Sequence, residues 1–175
     1  NALSYAGTEA LVGRKLVFIN CTHESLRGGH LELIHPDKVI LEIPTLGEEA
    51  TAAEIAAAIP LFEGLRQRGF RLAFDQNLLR RAYVNWLPMA SFIKLDMLTF
   101  PLENAQALVK FARTHTMAQI VAEKVETQAQ FEHMHELGVK LFQGFWFAKP
   151  DLVHTRTVRP SQAIILQLIN LVRNQ

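Results

Sequence analysis

A repeating alternation constrains this chain more than any other feature. Short, β-rich, mostly apolar runs at Leu16–Asn20, Lys38–Ile43, Arg71–Asp75, Phe92–Asp96, Gln119–Glu123 and Leu141–Phe145 are separated by longer stretches with helical periodicity. Runs this short and apolar are expected of parallel strands covered by helices, and strand–helix alternation implies an α/β fold with a parallel sheet. Glu48–Arg68 places Ile55, Ile59, Phe62 and Leu65 on one helical face, with a kink or break expected at Pro60. Glu103–Thr116 carries the stripe Ala105, Leu108, Val109 and Ala112, and Gln128–Leu137 carries Phe131 and Met134. Thr127 and Gln130 have the spacing of a capping box, and Gly138 is a natural stop. Val153–Pro160 reads as a connector. Ser161–Arg173, apolar over a wide arc, reads as a helix leading towards another domain.

Composition removes several classes of function. The 175 residues allow one domain, or one large domain cut short, and 49% hydrophobic residues suffice for a sizeable core. Lys plus Arg number 18 against 17 Asp plus Glu, and a net charge of +1 gives no electrostatic case for DNA or an anionic membrane. Cys21 is alone, so no disulfide forms within the chain, as suits a reducing cytoplasm. No apolar run approaches the roughly 20 residues of a membrane helix. The opening Asn1-Ala-Leu3 is neither a signal peptide nor an initiator methionine, and the chain is expected to begin inside a longer protein.

The chemistry collects at strand ends. Asn20, Glu42, Asp75, Lys94 with Asp96, Glu123 and Gln143 all lie at or near the C-terminal ends of their runs. Side chains alternate along a strand, so Lys94 and Asp96 share one face. In a closed parallel barrel, inward residues at the C-terminal ends converge on one mouth, where barrel enzymes do their chemistry. Carboxylates and an amide meeting there suit a hard divalent cation such as Mg²⁺ or Mn²⁺, which activates water and clamps phosphoryl oxygens. A single strand-end carboxylate is more often a helix cap or a surface residue; recurrence on successive strands carries the signal.

Specific motifs then point to a family. Ile120-Val-Ala-Glu-Lys-Val-Glu-Thr127 resembles the IVAEGVET stretch of EAL domains, and Leu137-Gly-Val-Lys-Leu-Phe-Gln-Gly-Phe-Trp-Phe-Ala-Lys-Pro150 resembles their closing LG...QGY.F.KP stretch. Ile93-Lys-Leu-Asp96 resembles LKID, Leu41-Glu-Ile43 resembles LEITE, Val17-Phe-Ile-Asn20 resembles VNLS and Leu72-Ala-Phe-Asp75 resembles ALDD. The resemblance implies a TIM-like (β/α) barrel of the EAL type. It also implies hydrolysis or binding of cyclic di-GMP, with two Mg²⁺ or Mn²⁺ ions in active members. By position, Asn20, Glu42 and Asp75 resemble metal ligands, and Glu123 a catalytic or metal-associated glutamate. Lys94 resembles the lysine beside the catalytic water, and Gln143 the glutamine near water, metals and ligand. Glu126 resembles the glutamate supporting the active-site loop, and Asp96 matches the KID aspartate.

The departures matter as much. Gln76 stands where the family has a second adjacent aspartate, and Asn77-Leu-Leu-Arg-Arg-Ala-Tyr-Val-Asn-Trp86 replaces a glycine-rich loop. Lys124 stands where many EAL domains have glycine, and Arg159-Pro-Ser-Gln-Ala163 resembles the connector of EAL–HDOD fusions. Glu9-Ala-Leu11 spells the family's letters but sits in a helix-like segment, so it is not read as the signature. His115, His133 and His135 read as outer-layer histidines, His23 and His30 lack zinc partners, Cys21 lacks a paired base, and Trp86 and Trp146 read as packing residues.

Residues 1–152 are therefore expected to form an EAL-type barrel lacking its first two strands, with 153–175 a connector and C-terminal helix. Three functions stand: a degenerate signalling module with residual cyclic di-GMP binding and zero or one metal ion, an active phosphodiesterase, or an unrelated phosphate-handling barrel. The ordered motifs disfavour the third; Gln76 and the replaced loop favour the first. Expected partners are cyclic di-GMP, signalling proteins, a downstream HDOD domain and a second copy in a homodimer. With six strands of eight, the gap between Leu16–Asn20 and Leu141–Phe145 is expected to be covered by another chain or a rearranged N-terminal segment.

Overall fold

The computed structural model describes residues 15–144 and 162–165. They fall into two compact units, with boundaries at Val17/Phe18, Lys94/Leu95, Ala107/Leu108 and Gln119/Ile120. The strands are β1 (Lys15–Asn20), β2 (Ile40–Glu42), β3 (Arg71–Asp75), β4 (Phe92–Asp96), β5 (Gln119–Glu123), β6 (Leu141–Gln143) and β7 (Gln162–Ile165). The helices are α1 (His23–Arg27), α2 (Ala52–Ala57), α3 (Ile59–Gln67), α4 (Ala105–His115) and α5 (Gln128–Glu136). The first six strands match the six expected runs to within two residues at each end, Phe145 lying outside the described residues.

In the unit running from Phe18 to Lys94, the second half of β1 and then β2, β3 and β4 pair in parallel. The registers are Asn20↔Glu42, Glu42↔Ala73 and Asp75↔Lys94. Ile40, Leu41, Leu72, Ala73 and Phe74 are fully buried, as near-continuous apolar parallel strands should be. The helical pattern over Glu48–Arg68 is broken at Ala58 into α2 and α3. Pro60 sits in the first turn of α3, where its missing N–H has no intrahelical partner to lose. Thr51 and Glu54 close a reciprocal capping box on α2.

In the other unit β5 and β6 are parallel, with Val121 opposite Leu141 and Glu123 opposite Gln143. Helix α5 begins with the expected capping box of Thr127 and Gln130 and runs to Glu136, just short of Gly138. Its Phe131 ring lies 4.6 Å from that of Phe142. Along α4, which the boundary at Ala107/Leu108 divides between the two units, Ala105, Val109 and Ala112 are buried and Leu108 half-buried, as the stripe requires.

Two expectations fail at the C-terminal end. Gln162–Ile165, read as helix, is the strand β7; the rest of Ser161–Arg173 lies outside the described residues. A short apolar run does not distinguish buried helix from strand by periodicity, and two open strand edges supply the backbone partners that decide it. β7 is antiparallel to β6, with Leu141 opposite Ile165, and to the first half of β1, with Lys15 opposite Ile164 and Val17 opposite Gln162. The edges of β6 and of β1 over Lys15–Val17 are thus covered by a C-terminal segment, where an N-terminal one or another chain was expected. Phe18 and Leu141, expected to meet water across an open gap, are 5% and 2% exposed.

Candidate functional site

Because β1 to β4 pair in parallel and in close register, their last polar residues line up at one end of that unit. Asn20 is exposed and pairs in register with Glu42. Lys94, only 2% exposed, donates from Nζ to Oε1 of Glu42 at 3.0 Å. The same ammonium lies 4.5 Å from the centre of the Phe18 ring. A buried ammonium is tolerable only when compensated, and here a carboxylate and a π face share the task. Asp75 caps the 3₁₀ turn Gln76–Leu79, its Oδ1 accepting the Asn77 N–H at 2.9 Å.

The segment replacing the expected glycine-rich loop is well packed. It folds into 3₁₀ turns over Gln76–Leu79 and Arg81–Met89, with Leu78, Tyr83, Trp86, Leu87 and Met89 buried. Trp86 is fully buried, packs 4.8 Å from Phe62, and donates from Nε1 to the Ile55 carbonyl at 2.8 Å. Tyr83 donates its hydroxyl to the Leu46 carbonyl at 3.0 Å. His23 is held by the Pro44 carbonyl at 2.8 Å, its ring 6.0 Å from that of Trp86. Cys21 is buried and donates to the Ile19 carbonyl at 3.4 Å; burial pushes its thiol pKa up and the Glu42 carboxylate adds to the shift, the reverse of an activated nucleophile.

In the other unit Asp96, Glu123, Lys124 and Gln143 are brought together. Asp96 is 8% exposed; its Oδ1 accepts the Leu98 N–H at 2.9 Å, and its Oδ2 lies 2.9 Å from Nζ of Lys124. Glu123 is half-buried opposite the buried Gln143, and its carbonyl accepts the Met97 N–H at 3.0 Å. The Val125 N–H donates to the Gln143 carbonyl at 3.1 Å. A Cβ on Gly144 would collide with the Val125 backbone, which explains the glycine after Gln143. The Glu126 carboxylate is exposed, while its N–H donates to Oε1 of Gln130 at 2.7 Å. His115 and His135 are exposed, as expected, but His133 is half-buried.

Lys124, noted in the sequence only as standing where many EAL domains have glycine, is the participant to which sequence reasoning gave no role. Among the described residues it is the only non-glycine with positive φ, at 61°. That conformation costs a residue with a Cβ about 1–2 kcal/mol. Its ion pair leaves the lysine side chain 54% exposed, and screened pairs of that kind give about 0–1 kcal/mol. The pair does not offset the strain. A lysine at a position where glycine is expected was the available signal.

The donor set fits a divalent metal poorly. Among the described residues no group of three or more His, Cys, Asp or Glu side chains could hold an ion. Glu42 and Asp96 each take a lysine ammonium instead.

Residues 23–150 match the family model for the EAL domain. This chain belongs to the EAL domain family. The EAL chain is 31% identical over 175 residues to the cyclic di-GMP phosphodiesterase CdgJ of Vibrio cholerae serotype O1, covering 95% of this chain and 38% of that protein. It spans between 17% and 38% of the curated relatives it matches. Among solved structures it is similar to the PaMucR phosphodiesterase in its c-di-GMP complex, at 26% identity and a TM-score of 0.60, covering 77% of this chain and 61% of that one. It also shares its fold with the Bacillus subtilis YkuI protein, solved with c-di-GMP and calcium, at 18% identity and a TM-score of 0.59, covering 77% and 37%. The fold class is therefore the expected α/β, TIM-like barrel of the EAL type. Among the described residues no helix is long and apolar enough to cross a membrane.

Proposed function

We propose that this EAL domain is a degenerate regulatory module of bacterial cyclic di-GMP signalling, acting through protein contacts with residual nucleotide binding and without efficient hydrolysis. The observation that carries this reading is the occupation of Asp96 by the ammonium of Lys124, a residue that stands where many EAL domains have glycine. Gln76 adds to it, since an amide in place of a carboxylate brings no negative charge to hold a second ion. Similarity to proteins named cyclic di-GMP phosphodiesterases supports the nucleotide.

In this reading Lys94, Glu123 and Gln143 are vestiges of the catalytic set, and Gln143 keeps a contact to the nucleotide. Asn20, Glu42, Asp75 and Glu123 are the remnant of a Mg²⁺ or Mn²⁺ site holding at most one ion, with Asp96 and Glu126 in support. The barrel domain, expected over residues 1–152, takes in Gln162–Ile165 as β7, and the residues beyond it lead to a further domain of HDOD type, in a cytoplasmic protein that pairs with itself or with signalling partners. The runner-up is an active metal-dependent phosphodiesterase, favoured by the 31% identity to CdgJ.

Calorimetric binding of cyclic di-GMP and chromatography of its linear product separate the two, on the full-length protein with Mg²⁺, with Mn²⁺ and with chelator. Binding without turnover is expected, and Gln76→Asp alone leaves turnover absent, because the replaced loop still misplaces substrate and about 1 Å costs on the order of a hundredfold. Rapid release of linear dinucleotide, abolished by Glu123→Ala, would establish the enzyme instead.

A further inference from the structure

We infer that Lys124 is a built-in counter-ion that takes the place of a divalent ion's charge at Asp96 and keeps the turn after β5 in shape without metal. The inference rests on the degenerate reading of the metal set and extends it to a residue outside that set. Three observations on the Asp96–Lys124 unit converge. Asp96 is 8% exposed and uses Oδ1 to hold the Leu98 N–H, so its orientation is fixed by its own backbone. Its Oδ2 points to the Lys124 ammonium at 2.9 Å. Lys124 reaches it from a left-handed backbone position, φ 61°, that a side chain rarely adopts.

A residue held in a sparsely populated conformation persists only where its surroundings dictate it. Here they do. Val125 is pinned to the Gln143 carbonyl at 3.1 Å and pressed against Gly144, and the Glu123 carbonyl receives the Met97 N–H at 3.0 Å. Position 124 is therefore left-handed whichever residue occupies it. The side chain is the free choice, and glycine would be the unstrained one. A half-exposed ion pair is a poor source of stability, but a poor return in stability does not make it electrostatically idle. An ammonium on a carboxylate neutralises the charge that attracts a cation, and Mg²⁺ or Mn²⁺ commonly binds through only one or two carboxylates plus waters. Without the ammonium, Asp96 regains the carboxylate charge from which such binding starts.

The test is the melting temperature of the full-length protein with 1 mM (roughly saturating) Mn²⁺ or with chelator, in the absence of nucleotide, so that it reads Lys124 independently of cyclic di-GMP binding or turnover. The wild type is expected to melt at one temperature in both conditions. Lys124→Gln, which removes the charge and keeps a polar side chain one atom shorter, should gain about 2–4 °C from Mn²⁺. Lys124→Arg should behave as wild type, and Lys124→Gln combined with Asp96→Asn should lose the response. Lys124→Gly, unstrained at positive φ, guards against a folding defect in the glutamine variant and should respond to Mn²⁺ equally. A wild type already stabilised by Mn²⁺ would overturn the inference, as would uncharged variants that do not respond or a response that survives Asp96→Asn.

Discussion

The segment after β3 and the turn after β5 are held by opposite means. Gln76–Met89 is anchored by bulk: Trp86, Leu78 and Tyr83 are buried, and the Trp86 ring meets Phe62, Phe74 and Tyr83 at 4.8–5.7 Å. Glu123–Glu126 is anchored by backbone: a strained φ, a glycine-only approach at Gly144 and a half-exposed ion pair. The first arrangement depends on volume and tolerates changes in polar contacts. The second depends on backbone approach and is intolerant of a single added carbon. A barrel scaffold can thus lose a glycine-rich loop to an apolar one without losing order, while the strand-end turn keeps its geometry.

The largest effect expected from that contrast is at Trp86. Trp86→Ala should cost about 3–5 kcal/mol in urea unfolding, as for a fully buried aromatic, and should raise hydrogen exchange across Gln76–Met89. A loss under 1 kcal/mol would mean that bulk does not hold this segment. Next comes Gly144→Ala, expected to cost about 1–3 kcal/mol through overpacking against Val125; a neutral result would show that the β5 turn can yield. The smallest is Tyr83→Phe, which removes the hydroxyl bond to Leu46 and leaves the ring, for about 0.5–1.5 kcal/mol. If it equals Trp86→Ala, the segment is held by polar contacts after all and the contrast fails.

Much of this was legible in the sequence because it depends on neighbours along the chain. The box at Thr127 and Gln130, the break near Pro60 and the six parallel strands follow from local spacing. The box at Thr51 and Glu54 was equally local, yet the helix was expected to start at Glu48. The Lys94–Glu42 pair was half legible: both residues were singled out, but as a metal ligand and a water-side lysine, not as partners across 52 positions. What stayed hidden depends on distant backbone. Nothing near residue 162 states that two edges await it, and nothing in the string from Gln76 to Met89 says that Ile55 and Leu46 supply acceptors for it.

The position of β7 has a consequence for biosynthesis. Lys15 finds its antiparallel partner at Ile164, so nearly the whole described chain must leave the ribosome before that edge is paired. At about 5–20 residues per second, the interval is on the order of ten seconds or more. Throughout it, Lys15–Val17 offers unpaired N–H and C=O groups to any nascent strand nearby, a template that other chains can extend. The last described strand is also the one whose arrival ends that exposure, which makes timing as much as energy a condition for this polypeptide to reach its native form.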